Sequence, residues 1–198
     1  MEDQKDNIGK IVEKLDAVGD AELKDMVMKL IEEREYLISS ANIDPLSGLN
    51  NRRILSTDKI RNIAFCAMID VDRFKTINDT YGHDVGDSVI RIVGSVLKHS
   101  TRREDFVIRY GGDEFLIVFT GGTLQIVTER IDRIRQEIKE KVNLPGFEVT
   151  LSVGVAPYEV GATLEETIKK ADESLYHSKN TGKDKVTIYG EGPEMNLS

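Results

Sequence analysis

Two short acidic groups in this chain are of the type that handles a cation or a proton: Asp70-Val71-Asp72, and Asp113-Glu114 directly behind Gly111-Gly112. Buried carboxylates a few ångströms apart repel strongly unless something positive neutralises them. Hard oxygen donors of this kind select Mg²⁺ or Mn²⁺ over Zn²⁺, and no His/Cys spacing in the chain suggests zinc. Taken singly, each acid reads as a solvated residue at the end of a strand. The pairing changes that reading. One group closes an apolar run, and the other abuts a glycine pair that lets a ligand approach the backbone.

The elements around these acids must bring them together. Ile63 to Ile69 is a continuous apolar run, the pattern of a buried central strand, and it stops at Asp70. Phe106–Tyr110 and Phe115–Phe119 read as strands on either side of Gly111-Gly112, which predicts a two-residue hairpin with positive φ. If those strands neighbour the first, Asp70 and Asp113 converge at one sheet edge. A short helix through Phe74 and Ile77 breaks at Gly82 and leads into a longer one carrying Val89, Val93, Val96 and Leu97. Leu124, Val127, Ile131, Ile134 and Ile138 form another helical stripe, and Val149–Val155 alternates like a strand. Thr163 and Glu166 form a capping box for a last helix with Ile168, Ala171 and Leu175, ended by Gly182 before a final strand, Val186–Tyr189. Asp44 to Arg53 is turn-rich and should lead into a helix. A hairpin among alternating strands and helices requires a mixed or antiparallel sheet. The predicted fold is therefore α/β (α+β): a central mixed, largely antiparallel sheet flanked by helices.

Residues 1–40 form a charged, helix-periodic segment. Ile8, Ile11, Leu15 and Val18 make one stripe, Gly19-Asp20 a break, and Leu23, Met26, Val27, Leu30, Ile31 and Leu37 a second face. Two readings stand: helices packed on the main domain, or a coupling and dimerising segment. Residues 41–190 form the main domain, and 191–198 a tail expected to be disordered. The net charge of −8, from 27 basic and 35 acidic residues, disfavours nucleic acid, whose binding rests on many cationic contacts to phosphate. No apolar run approaches the roughly 18 residues of a membrane span, and the opening MEDQKDNIGK is too polar for a secretory signal. The single Cys66 sits in an apolar run, as a buried inert thiol in a reducing cytoplasm would.

Arg109-Tyr110-Gly111-Gly112-Asp113-Glu114-Phe115 resembles the signature of the diguanylate cyclase, or GGDEF, family. Five further segments resemble that family in order. Asp44-Pro45-Leu46-Ser47-Gly48-Leu49-Asn50-Asn51-Arg52 comes first, with Ser47 where threonine is usual. Ile69–Lys75 and Asn78–Asp87 match the metal and guanine segments, and Ser152–Ala156 with Leu175–Lys179 follow. The likeness covers roughly 41–190.

The resemblance implies a fold like nucleotide-cyclase and polymerase palm domains, and a reaction that condenses two GTP into cyclic di-GMP. It implies Mg²⁺ or Mn²⁺ ligated by Asp70, the Val71 carbonyl and Asp113, with Glu114 on a second ion. Asp113 would also accept the proton of the 3′-hydroxyl. Lys75 would face the triphosphate, the amides of Arg73 and Phe74 would cradle phosphate at a helix start, and Lys179 would bind phosphate. Lys183 stands where arginine is common, keeping the charge but losing the bidentate fork. Asn78 and Asp87 would read guanine, with His83 in the same pocket; by themselves Asp87 reads equally as a helix cap and His83 as a structural histidine. Arg102 and Asp105 form the Arg-x-x-Asp pattern of the family's product-inhibition site, with Arg133 as its secondary arginine. One GTP per site requires two chains face to face, so a homodimer is expected for turnover. The other readings are a degenerate domain sensing cyclic di-GMP or GTP, which would be expected to lose Asp70, Asp113, Glu114 or Lys75, and a polymerase-like palm, which the acidic charge disfavours.

Overall fold

The computed structural model of the chain describes Lys14 and residues 21–191, and it divides into two units between Ile43 and Asp44. The readings placed on Ile8, Ile11, Leu15, Val18, Gly19-Asp20 and residues 192–198 lie outside the described residues. Glu191, assigned above to a disordered tail, makes a β-bridge to Ile188. The first unit contains α1 (Ala21–Ala41), on which Leu23, Met26, Leu30 and Leu37 are exposed.

The second unit runs through β1 (Asn50–Asn51), a 3₁₀ turn (Arg52–Ser56), β2 (Phe65–Val71), α2 (Phe74–Tyr81), α3 (His83–Ser100), β3 (Phe106–Arg109) and β4 (Glu114–Phe119). It continues with α4 (Leu124–Lys141), β5 (Asn143–Leu144), β6 (Phe147–Glu148), β7 (Leu151–Pro157), α5 (Leu164–Asn180) and β8 (Val186–Ile188). Six strands form one sheet in the order β1-β3-β4-β2-β7-β8, and β5-β6 is a separate small hairpin. β2 is central and antiparallel to both β4 and β7, β3 is antiparallel to β4, and the outer pairs β1/β3 and β7/β8 are parallel. The sheet is mixed and largely antiparallel, as the hairpin argument requires.

β2 has no apolar/polar alternation because both of its faces are covered. Phe65, Ala67, Ile69 and Val71 join Phe115, Ile117 and Phe119 of β4 in one core, with Val89, Val93 and Leu97 of α3 and Val127, Ile131, Ile134 and Ile138 of α4. Cys66 and Met68 join Leu116 and Val118 in a second core, against Ile168, Ala171 and Leu175 of α5. On that side the contact between strand and helix is made by backbone. A Cβ on Gly154 would lie 2.1 Å from the Ala171 carbonyl oxygen and 2.1 Å from the Leu175 nitrogen. The Thr163/Glu166 capping box is present in both directions, a feature that contributes about 1 kcal/mol.

Three expectations are corrected. β2 begins two residues later than the apolar run and extends through the acid to Val71, because its pairing with β7 runs from Phe65 to Val71. In place of the helix expected after Asp44–Arg53 there is only a five-residue 3₁₀ turn, Arg52–Ser56, preceded within the turn-rich segment by the two-residue strand β1. The β3–β4 connection is not a two-residue primed turn: Arg109 still pairs with Phe115, and neither Gly111 nor Gly112 has positive φ. The amides of Tyr110 and Gly111 both donate to the Glu114 carbonyl, at 2.9 and 3.1 Å. The Arg109 guanidinium fills the wider loop, donating to the Gly112 carbonyl at 2.7 and 3.1 Å. A Cβ at 111 would meet Glu114 Oε2 at 2.6 Å, so a larger residue there would displace the end of the Glu114 side chain.

Candidate active site

The register of β2 against β4 sets Asp70 opposite Glu114, and the Val71 amide donates to the Asp113 carbonyl at 3.2 Å. Both acidic groups of the sequence therefore meet at one end of the central strand pair. Asp70 is 8% exposed. Burial is the main force pushing its carboxyl up, to about 6; Lys179 opposes that rise, while Asp113 and Glu114 add to it. Lys179, near the end of α5, donates to Asp70 Oδ2 at 2.6 Å.

Among the described residues no three His, Cys, Asp or Glu side chains already converge as a metal nest. The donor chemistry nevertheless fits a divalent cation. A buried carboxylate, the Val71 carbonyl and two further carboxylates supply hard oxygens, and the electrostatic strain at Asp70 is of the sign a cation relieves.

Asp72 is not part of this set. It is 3% exposed, and its carboxylate accepts from Thr150 Oγ1 and Ser152 Oγ at 2.6 Å each, and from the Asp184 amide at 3.1 Å. It ties β2 to β7 and to the loop behind α5.

The candidates for phosphate lie beside the acids. Arg73, at φ +56, turns the chain from β2 into α2, whose N-terminus has no side-chain cap. The amides at Arg73 and Phe74 thus stand at an uncapped helix start, and Lys75 is exposed in its first turn. Lys183, half-buried at φ +62, has its Nζ 3.4 Å from the Lys179 carbonyl. Asn78 on α2 lies against Gly86 on α3: a Cβ at 86 would be 1.9 Å from Asn78 Oδ1. That contact brings Asn78 to the turn of α3 that carries Asp87. The Asp87 side chain is half-exposed with Arg91 4.0 Å away, and His83 is exposed at the first position of α3. A cleft of about 1280 Å³ between the 3₁₀ turn and α5 touches the acids only at Glu114.

Arg102 and Asp105 are placed differently from one another. Arg102 is exposed, whereas the Asp105 side chain is 1% exposed. The Asp105 carboxylate accepts from the amides of Arg102 and Thr120, at 3.0 and 3.1 Å, and from Arg130 at 3.2 Å. Asp105 shapes the loop and pairs with Arg130; Arg133, on the same helix, is exposed. Sequence reasoning also missed three other ion pairs. Arg109 donates to both oxygens of Asp44, at 3.0 and 3.2 Å. Asp184 is held by Arg135 and Lys139 of α4. The partners are 65, 49 and 45 positions apart, and only the assembled fold brings them together.

A profile described as "Diguanylate cyclase, GGDEF domain" matches residues 41–185. Diguanylate cyclase DosC of Escherichia coli K12 is 36% identical over 160 residues, covering 74% of this chain and 35% of that protein. Diguanylate cyclase DgcM of the same strain is 32% identical over 185 residues, covering 87% of this chain and 45% of that protein. The chain thus spans less than half the length of these relatives. Among solved structures, the coiled coil and GGDEF domain of DgcB from Caulobacter crescentus, in complex with c-di-GMP, superposes with a TM-score of 0.76 at 31% identity, covering 88% of this chain and 98% of that one. SiaD from Pseudomonas aeruginosa, a diguanylate cyclase in complex with its activator SiaC, gives 0.71 at 31% identity, covering 94% and 76%. On the match over 41–185 and these relatives, the chain belongs to the GGDEF-domain diguanylate cyclase family.

Proposed function

We propose that the chain condenses two GTP into cyclic di-GMP and two pyrophosphates, with Mg²⁺ or Mn²⁺ held by Asp70, the Val71 carbonyl, Asp113 and Glu114. The observation that carries the reading is the acid edge, where Asp70 sits buried beside Asp113 and Glu114 with Lys179 as its paired cation. Bound divalent ions supply charge neutralisation at the α-phosphate and acidify the attacking hydroxyl.

The chain's own residues do the rest. Asp113 takes the proton of the 3′-hydroxyl as O3′ bonds to the other nucleotide's α-phosphorus and pyrophosphate leaves. Lys75, Lys179 and Lys183 offer fixed positive charge to the triphosphate, and the amides at Arg73 and Phe74 hold phosphate at the uncapped start of α2. Asn78 and Asp87 accept from the N1–H and N2–H₂ donors of guanine, with His83 beside them. Arg102 and Arg133, both exposed, bind product for feedback inhibition, while Asp105 sets the shape of that loop. The complex of DgcB with c-di-GMP supports product binding in a related domain.

Each half-site holds one nucleotide, so turnover takes place in a homodimer. Exposed Leu23, Leu30 and Leu37 recur every seven residues along α1 and support a pairing through that helix. Among the described residues no helix is long and apolar enough to cross a membrane. A cytoplasmic location suits a GTP-using domain with an unpaired, buried Cys66. The test is chromatographic detection of product from GTP and Mg²⁺ across a range of protein concentrations. The expected result is cyclic di-GMP formed at a rate that rises more steeply than protein concentration in the dilute range. No product at any concentration overturns the reading.

A further inference from the structure

The loop behind α5 carries two consecutive non-glycine residues in the left-handed region, Lys183 at φ +62 and Asp184 at φ +49. Such residues are strained and persist only where their surroundings over-determine them. The surroundings here converge on Asp184. Its amide donates to Asp72 Oδ2 at 3.1 Å. Arg135 donates to its Oδ1 at 2.6 Å and also to its carbonyl oxygen, and Lys139 pairs with its Oδ2. Arg135 is only 7% exposed, an unusual burial for a guanidinium. One aspartate thus fastens the end of β2, the α4 helix and the loop together. Gly182, at φ +117, already turns the chain out of α5, so ending the helix does not require this clamp.

The clamp acts on the neighbouring lysine. Lys183 is fixed through its amide to the Ser178 carbonyl at 2.9 Å, and its ammonium lies 3.4 Å from the carbonyl of Lys179. The Lys179 ammonium in turn meets Asp70 at 2.6 Å. The Lys183 ammonium thus lies on the last turn of α5, against the main chain of the residue whose own ammonium meets Asp70. A lysine on an unrestrained loop would lose backbone and rotamer freedom on meeting an anion; here the backbone part of that ordering is already in place.

Resting on the nucleotide reading given above, we infer that Asp184 is a positioning residue for triphosphate binding. Held by Arg135 and Lys139, it keeps the strained loop in the one conformation that sets Lys183 beside Lys179. The role belongs to binding and leaves the chemical step alone.

The test uses the full chain and a non-hydrolysable GTP analogue with Mg²⁺, measured by calorimetry, together with steady-state kinetics. Asp184→Asn keeps the shape of the side chain and removes its charge; Asp184→Ala removes the clamp. Both should weaken analogue binding, the alanine variant by about tenfold as expected for loss of a fixed cationic contact to phosphate. KM should rise in step, with kcat within about twofold of wild type. Lys183→Ala should weaken binding to a similar extent, and adding Asp184→Ala to it should cause little further loss, because the two act through one contact. Additive losses, or wild-type binding in variants that merely melt earlier, overturn the inference. If Asp184→Ala fails to fold, Asp184→Asn carries the same comparison. A wild-type chain that binds the analogue but forms no product defeats the cyclase reading and leaves the positioning role standing, whereas a chain that binds no analogue defeats both.

Discussion

Asp70 and Asp72 are two positions apart and almost equally hidden, at 8% and 3% exposure, yet their surroundings are opposite in kind. Asp72 faces β7 and the loop behind α5, where two hydroxyls and an amide donate to it. Asp70 faces the β4 end, where Lys179 donates to it and Asp113 and Glu114 oppose its charge. A buried carboxylate furnished with donors ties elements together. One furnished with other acids is held in a state that a bound cation improves. Burial alone does not distinguish the two regions; the supply of donors does.

The largest effect should come from the acid edge. Asp113→Asn is expected to lower cyclic di-GMP synthesis by roughly three orders of magnitude, through loss of a proton acceptor and a cation ligand together, with an unchanged circular dichroism spectrum. Near-wild-type turnover would break the proposed assignment of roles. The next effect falls on stability. Asp72→Ala strands two hydroxyls and an amide and should cost about 3 kcal/mol in urea denaturation. Asp70→Ala removes a charge that burial disfavours and should leave stability unchanged or raised while turnover is lost. Equal destabilisation by the two variants would erase the distinction between the regions.

The same contrast extends to the product loop. Arg102→Ala should weaken product inhibition by roughly tenfold, as expected for loss of an arginine–phosphate contact, while initial rates stay close to wild type. Identical inhibition curves would remove Arg102 from that site. For base choice, the proposed role of Asp87 is to accept from guanine N1–H and N2–H₂, whereas adenine would present an unprotonated N1 to the carboxylate. Asp87→Ser should reduce a bias of at least about tenfold against ATP, seen as adenine-containing product from an equimolar mixture of GTP and ATP. A serine variant that stays strictly guanine-specific would show that another residue selects the base.

The smallest effect concerns acid stability. Partial burial pushes the Asp44 carboxyl up, but the Ser47 amide and hydroxyl and the Arg109 guanidinium outweigh it and hold the carboxyl below its ordinary value of 3.8. A depressed carboxylate stabilises the fold above its unfolded pKa, and that contribution is lost as pH falls through the folded value. Asp44→Asn should therefore narrow the stability gap between pH 6 and pH 3, read from thermal midpoints; an identical acid limb would count against the pair.

The sheet was legible because its signals are local. A continuous apolar run, paired strand-like segments around glycines and a Thr163/Glu166 capping box all act within a few residues. The meeting of Asp70 with Asp113-Glu114 followed from strand adjacency alone. What could not be read was the destination of individual carboxylates. Asp72 and Asp105 look like ligands in a string of letters, and only the hydroxyls of Thr150 and Ser152, or the amide of Thr120 with Arg130, show that their acceptor capacity is already used. The hairpin's geometry was equally hidden, because the Arg109 side chain, and not glycine φ, decides the width of the loop.

The backbone contact at Gly154 has a consequence for how this domain tolerates mutation. Its neighbours there are the main chain of Ala171 and Leu175, which cannot rotate aside as a flexible side chain would. Any larger residue at 154 has to lift α5 from the sheet, and Lys179 travels with that helix away from Asp70. In a saturation scan, Gly154 should therefore score like a residue of the active site although it touches none of the acids. The map of sensitive positions will extend along the strand–helix seam, well behind the acid edge.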